Sequence, residues 1–455
     1  MLISILALAV AQTSLLAGSA AQPNLIEESA IAPVDMSMDE AVDYGTERSF
    51  RLQRSTRSDR VADERVRGTK AGLGPRVDVG YGADQSQRYY RFKGDFDYNQ
   101  GQPAFFTDLT ANASYNIDIA GVQKRQLQQA RLGKESSEVN LNQTTLDVAS
   151  EIRTNYVQAL RAQEQVEAEG AYLKSIDSLI ERARMSQPSV VSFLESERSN
   201  SAQSLEQTRQ NADLAYSTLR QTIRLKNGQP IILTTTLDNP PPLPSNDELL
   251  HIAYANRNDL KQADIQLRQA RIAKIQATDS RRPSLRAGLF GSQAFNGDYV
   301  TLGGKNNGET RSASAVVNFS LPLFLYDGGQ LRSQQNVARI QAEQALADAE
   351  EAKERAANEI NQVMISLNRA QERLKRLPDV AQAQASLAQA EQQMLAASPT
   401  EAAGVLAQVT NARQNLRQSV LSRNDALTDF YSNFFRLQRS VGTEDIGPQY
   451  VALVN

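Results

Sequence analysis

The chain has no cysteine, no tryptophan and a single histidine, His251. Without cysteine there are no disulfides and no thiolate metal sites. With no second histidine, His251 is expected to be a surface or packing residue, not a metal ligand or a catalytic base. Although 40% of the residues are hydrophobic, no internal run approaches the roughly 18 apolar residues of a membrane-spanning helix. Charge of one sign is missing too: 49 basic and 52 acidic side chains leave −3, too near balance for a nucleic-acid partner. No paired acids in a Gly-rich setting suggest an enzyme, and no cofactor is expected. Gly328-Gly329 has no Lys-Ser/Thr behind it, so it is expected to turn the chain and not to cradle phosphate.

One strongly apolar run is present, Leu2 to Ala17, followed by Gly18-Ser19-Ala20-Ala21-Gln22. It is expected to be an export signal over 1–21, with a buried N-terminal helix as the alternative. The basic residue usual before such a run is missing, and with no cysteine near the cleavage point a lipid anchor there is not expected.

The organising stretch runs from Ser312 to Leu346. Ala313, Ala315, Val317, Phe319, Leu321 and Leu323 alternate with Ser312, Ser314, Asn318 and Ser320, and Val316 is the one apolar exception among the even positions. Period two marks a strand with two unlike faces. After Gly328-Gly329 the period changes to that of a very long helix rich in Ala, Gln and Glu. The same arrangement occurs earlier: Leu109, Ala111, Ala113, Tyr115, Ile117 and Ile119 alternate without a fault, then comes Gly121 and a second long helix. Strands are expected over about 76–84, 104–119, 284–296 and 311–323, with loops over 84–103 and the Gly-rich 297–311. Long helical hairpins are expected over about 122–226, turning at Ser186, Gln187, Pro188 and Ser189, and 330–440, turning at Ser398, Pro399 and Thr400. Their narrow, Ala-rich stripes fit coiled-coil seams, and their Glu, Gln and Arg are expected to be mostly solvated. A helix over about 39–70 should break near Tyr44-Gly45, and the five prolines of 230–245 suggest an extended linker.

Adding 208 to positions in the first half lands on counterparts in the second: Asp39-Glu40 on Asp247-Glu248, Leu52 on Leu260, Pro75 on Pro283, Gly121 on Gly329. The expected domains are a first repeat over 22–229, a linker over 230–245, a second repeat over 246–442 and a tail over 443–455. Each repeat is short helix, strand, loop, strand, long helix, turn, long helix. Strands near the ~9–11 residues that cross a bilayer must leave no edge unpaired in lipid, and four cannot close a barrel. Several chains must pool them: two would give eight strands and a filled interior, three would give twelve and a lumen. A water-soluble β-sandwich with helical arms is the other architecture that fits the strands alone. Aromatic residues cluster near the strand ends (Tyr89, Tyr90, Phe92, Phe96, Phe105, Phe106, Tyr299, Phe319, Phe324, Tyr326), as in an interface belt or in loop packing.

Phe319-Ser320-Leu321-Pro322-Leu323-Phe324 through Asp327-Gly328-Gly329, with Ala338, Ala342 and Ala345 behind, resembles the TolC-like outer membrane efflux proteins. So do Asn258-Asp259-Leu260 with Pro283-Ser284-Leu285, and the ending Leu437 to Gly442. The resemblance covers nearly the whole chain after the signal, in two copies. It implies an α+β membrane protein: a homotrimeric transmembrane β-barrel in the lipid of a Gram-negative outer membrane, four strands per chain, continued by a periplasmic coiled-coil tunnel. It also implies docking with a periplasmic adaptor and an inner-membrane transporter of RND or ABC type, for efflux or type I secretion of drugs, metals or proteins. The family's turns carry a Gly seven residues before a Val-Leu or similar pair; here Ser186 precedes Phe193-Leu194 and Ser398 precedes Val405-Leu406. Where some members set acidic gate rings, this chain has Gly404 and Ala407, so that gate is not carried over. Glu195 and Glu401 are the nearest acids; each either rings the entrance or is a solvated helix residue. A soluble periplasmic adaptor, which would carry a lipoyl-like β domain not visible here, and a periplasmic enzyme are the other functional readings.

Overall fold

The computed structural model describes residues 33–86, 104–186, 191–226, 229–237, 240, 243–301, 304–321, 328–377, 379–396, 402–444 and 446. Four strands, β2 (Arg76–Ser86), β3 (Ala104–Ile117), β5 (Ser284–Thr301) and β6 (Gly304–Ser320), form one antiparallel sheet in the order β2-β3-β5-β6. Two short strands, β1 (Val34–Met36) and β4 (Ile231–Leu233), pair in parallel. The helices are α1 (Met38–Arg48), α2 (Phe50–Ala71), α3 (Val122–Ser186), α4 (Val191–Ile223), α5 (Asn246–Asn256), α6 (Asn258–Gln276), α7 (Gln330–Arg376), α8 (Val380–Ala396) and α9 (Ala402–Val441). At ~1.5 Å per residue, the 65 residues of α3 extend to about 100 Å.

The register of the four-stranded sheet sorts its side chains into two faces. On one lie the rungs Val77-Ala113-Leu289-Ala315, Val79-Ala111-Gly291-Ala313, Tyr115-Ala287-Val317 and Ile117-Leu285-Phe319. On the other lie Asp78-Asn112-Phe290-Ser314, Gly80-Thr110-Ser292-Ser312 and Asn116-Arg286-Asn318. Successive residues of a strand point to opposite sides, so the alternation seen in single strands becomes one continuous apolar face and one polar face. The apolar face is bare: Val79 is 72% exposed and Val317 71%.

Several boundaries differ from expectation. β5 and β6 run on through much of the expected 297–311 loop, with Tyr299 paired to Asn306 and Thr301 to Gly304 beyond a register break at Asn296. Backbone pairing continues where Gly, Asn and Asp erase the side-chain alternation that signals it. β3 ends at Ile117, because Asp118 turns to cap α3, accepting from the amides of Gln123 (3.2 Å) and Lys124 (2.9 Å). The break in the first helix falls at Ser49, not Tyr44-Gly45, and the Ser49 hydroxyl caps α2 by accepting from the Leu52 amide. Gly45 stays helical; a Cβ there would lie 2.6 Å from Ile152 Cδ1 and 3.3 Å from Ile223 Cα, so the glycine permits close helix packing. The second long helix is not continuous to 397: it stops at Arg376, and Leu377 is extended at φ −66°, ψ 142°. Proline at 378 disfavours helical geometry in the residue before it. The linker expected over 230–245 contributes β4. Arg224, at φ +58°, ends α4 with the Leu225 amide donating to the Arg220 carbonyl. Residues 227–228 lie outside the described residues.

The main core sits where the helices cross, with Ile152, Tyr156, Leu219, Ile223, Ile360, Leu367, Phe430 and Phe434 all buried. The Tyr156 hydroxyl donates to the Met36 carbonyl (2.9 Å), which ties the β1-β4 ribbon to α3. α1 and α5 each have 11 residues and begin with a capping box, Ser37 with Glu40 and Ser245 with Glu248. These boxes satisfy amides that a helix start leaves without a partner.

α9 ends in a Schellman turn: the Thr443 amide donates to the Gln438 carbonyl and the Gly442 amide to that of Arg439. Gly442 has φ +82°, and a Cβ there would meet Arg257 Cα at 2.8 Å. Gly442→Ala should therefore lower stability by about 1–3 kcal/mol, measured by thermal unfolding in detergent. Gly133→Ala, within α3 and with nothing within 4 Å of the added carbon, should be neutral or stabilising.

Candidate functional site

α3 and α9 run antiparallel, joined by ion pairs in one register. Arg439 Nε meets Asp147 Oδ1 at 2.6 Å, Arg161 Nε meets Asp425 Oδ1 at 2.7 Å, and Arg417 Nε donates to Glu169 Oε1 at 2.9 Å. Farther along, Arg413 Nη1 donates to the Ser175 carbonyl and its Nη2 to Glu391 of α8 at 2.6 Å. The seam dries along this direction, and Glu169 is 5% and Arg413 4% exposed there. Both groups are desolvated, and these partners offset the cost of burying them. The helix charges are mostly exposed or half-exposed, as expected, but Glu169, Arg413 and Arg153 are exceptions and are buried. The signal that could have exposed them is the charge-free run Ala402 to Ala412 followed by Arg413 and Arg417 one turn apart.

Tyr172 closes this network. Its hydroxyl donates to Glu197 Oε1 (3.0 Å), and the Arg417 guanidinium lies 5.1 Å from its ring centre. Burial, and then the Glu197 carboxylate, push the phenol from its ordinary 10.0 to about 12. Beyond it, Ile176, Leu179, Ile180, Leu194, Leu406 and Val409 make a second apolar cluster that binds the ends of both hairpins.

The helix ends carry the expected site residues. Ser186 is the last residue of α3; Gln187, Pro188, Ser189, Ser398, Pro399, Thr400 and Glu401 lie outside the described residues. Glu195 pairs with Arg184 (3.2 Å), which it shares with Glu181 (3.1 Å). Gly404 and Ala407 are exposed on the first turns of α9, and a Cβ at Gly404 would meet nothing within 4 Å. They stand beside Leu406 and Val409, which point inward. At the sheet end, Gly121 (φ +69°), Gly328 (φ +60°) and Gly329 (φ +84°) take the left-handed turn before α3 and α7. Arg125 braces that junction through Asp279, Nε to Oδ2 at 3.0 Å, with Arg282 donating to the Ala120 carbonyl at 2.8 Å. His251 is exposed, and Phe319 lies bare on the apolar sheet face. Of the other belt aromatics, only the backbones of Phe105, Phe106 and Tyr299 are described.

Two hollows of unlike chemistry flank the helix ends. One of about 850 Å³ between α3 and α4 is lined by Asp177, Glu181, Arg184, Glu195 and Arg198. One of about 750 Å³ between α8 and α9 is lined mainly by uncharged amides and hydroxyls such as Gln382, Ser386, Gln389, Asn411 and Gln418. Among the described residues no cluster of three metal-ligating side chains occurs, and no helix is long and apolar enough to cross a membrane. The arrangement can shape and line a polar passage.

The family model described as outer membrane efflux protein matches residues 46–227 and 249–443. No curated protein sequence matches the chain. Among solved structures, the open state of the Neisseria gonorrhoeae MtrE outer membrane channel is similar at a TM-score of 0.70 and 16% identity, covering 91% of this chain and 93% of that one. The Campylobacter jejuni CmeC outer membrane channel is similar at 0.66 and 17%, covering 92% and 89%. CusC is similar at 0.68 and 15%, covering 89% and 92%.

Two outcomes test the seam. Arg417→Met should destabilise the hairpins by about 3–5 kcal/mol by stranding the Glu169 carboxylate, and adding Glu169→Gln should recover most of that loss. Because the folded state holds the Tyr172 proton more tightly than the unfolded state does, stability is complete below pH 10 and falls as pH rises toward 12. Tyr172→Phe should show a flatter decline over that window, read from thermal melts at each pH.

Proposed function

The chain belongs to the outer membrane efflux protein family, and on that premise we propose that three copies form a channel through the outer membrane of a Gram-negative bacterium. In this reading twelve strands, four from each chain, close the barrel, and the paired hairpins continue it as a periplasmic tunnel. The carrying observation is the sheet: one face apolar, the other polar, and its outer strands β2 and β6 without a further strand among the described residues. Lipid tolerates no unpaired strand edge, so β2 of one chain pairs with β6 of the next. The apolar face meets lipid and the polar face lines water. Exposed Val337 and Ile340 on α7, just beyond β6, continue the same contact between chains.

The tunnel receives its cargo from a periplasmic adaptor and an inner-membrane transporter, in efflux or type I secretion, through the turns at 186–190 and 397–401. Opening splays the helix ends there. The amide-lined hollow between α8 and α9, with Asp379 as its one charged lining residue, supports a largely uncharged passage wall. The 208-residue repeat is supported by the matched capping boxes and equal lengths of α1 and α5. The work is conduction, with no covalent chemistry.

Purified protein should form trimers in detergent and conduct ions in planar bilayers; a mature chain that stays monomeric in plain buffer would end this reading. Leu289→Arg and Val317→Arg on the apolar face should each cost about 2–4 kcal/mol near the bilayer midplane and reduce the trimer recovered from outer membranes. Ser314→Arg, on the opposite face, should leave assembly intact and shift ion selectivity toward anions. If substitutions at Glu195, Glu401, Pro188 and Pro399 all leave conductance unchanged, the entrance lies elsewhere.

A further inference from the structure

The polar face of the sheet is not uniformly polar. Of the large apolar residues that the register places on it, Phe106 stands three rungs away opposite Asn296, while Phe290 and Val316 are diagonal neighbours: Phe290 faces Ser314, and Val316 faces Gly288. The Phe290 ring leans back along its own strand over Gly288, with ring carbons 2.8 and 3.0 Å from where a Cβ would stand. The glycine leaves room for the ring to lie against the wall, toward Val316. Phe290 remains 37% exposed. Around it stand Asn112, Ser114 and Ser314, which offer hydrogen bonds and no charge. The nearest charged group of this face, Arg286, stands one rung beyond Gly288 and Val316, while Asp78 with Arg76 (2.8 Å) and Asp108 lie farther off along or across the strands.

We propose that Phe290 and Val316 form an apolar island on the lumenal wall that retains uncharged amphipathic organic cargo carrying an aromatic ring. An aromatic face packs favourably against the exposed ring in an offset or edge-on arrangement. The surrounding amide and hydroxyls satisfy the polar part of such a molecule, as in pockets that combine apolar surface with a few placed polar groups. Metal cations gain nothing there, because the nearest charged group is the Arg286 guanidinium. A folded protein in transit would touch it only in passing. With strands ~4.8 Å apart and tilted by ~40°, twelve strands enclose a lumen about 25 Å across between backbones, so three islands line the passage without closing it. The inference rests on the trimeric-channel reading and deepens it by naming a cargo class.

The test is open-channel current through purified trimers in planar bilayers, with phenyl-β-D-glucoside or methyl-β-D-glucoside added at equal concentration. Each variant is normalised to its own current without glucoside. The phenyl compound should reduce the current at least twofold more than the methyl compound in the native protein. Phe290→Ser should bring that ratio to about one, and Val316→Ser should lower it partway. A merely structural ring would change thermal stability but not the ratio. If Phe290→Ser fails to assemble, Phe290→Leu decides: a ratio falling at least halfway to one supports the island, and an unchanged ratio overturns it. Equal ratios in native and Phe290→Ser channels also overturn it while leaving the channel reading intact. Absence of any conductance in the native protein removes both.

Discussion

Everything in this molecule answers to a backbone constraint. A peptide group in hydrocarbon has no water to bond, so each amide and carbonyl needs a partner within the protein. Helices meet that demand alone. A four-stranded sheet cannot, because its two outer strands each present a row of unfilled donors and acceptors. The sheet of this chain has an apolar face suited to lipid and two such edges. In the proposed channel the face meets lipid and the edges meet neighbouring chains, so in that reading assembly and insertion are one requirement.

Away from the sheet, a different balance holds. The long helices have few large apolar residues, and their Ala-rich stripes bury little area per turn. The seam of α3 and α9 adds charged partners held in a single register, from Asp147 with Arg439 to Ser175 with Arg413. Ion pairs of this kind add little net stability against apolar replacements, yet misalignment would leave buried charges uncompensated. Their contribution is to forbid sliding. An Ala-rich seam alone would tolerate a one-turn shift; Glu169 and Arg417 do not.

The parts of the fold that were legible in sequence are those where side chains carry the period. The unbroken alternation of β3 and the step of three and four in α3 are such cases, and so are the strand-to-helix glycines 121, 328 and 329. The hairpin of β5 and β6 beyond Asn296 was not legible, because backbone pairing holds it and Gly and Asn leave no pattern. Ser49 went unseen as a cap since Gly45 looked the stronger breaker, yet Gly45 is there to let Ile152 approach. The break at Leu377 was signalled by one proline inside an otherwise strong helical stretch. The buried arginines look like any surface arginine until the partner helix is placed, since desolvation is a property of the pair. Of the site at the helix ends, Glu195 was visible as an acid, but its pairing with Arg184 depends on the geometry of two antiparallel helices.

The interruption at Leu377 has a mechanical meaning. The descending arm of the first hairpin is a single rod from Val122 to Ser186, and a twist imposed at one end reaches the other with little loss. The descending arm of the second is jointed, since an extended residue carries no helical hydrogen bonds across it. Two arms of common design thus differ in stiffness. A torque delivered near 397–401 is absorbed at the joint before it reaches the sheet, while one delivered near 186–190 is passed upward along the full length of α3.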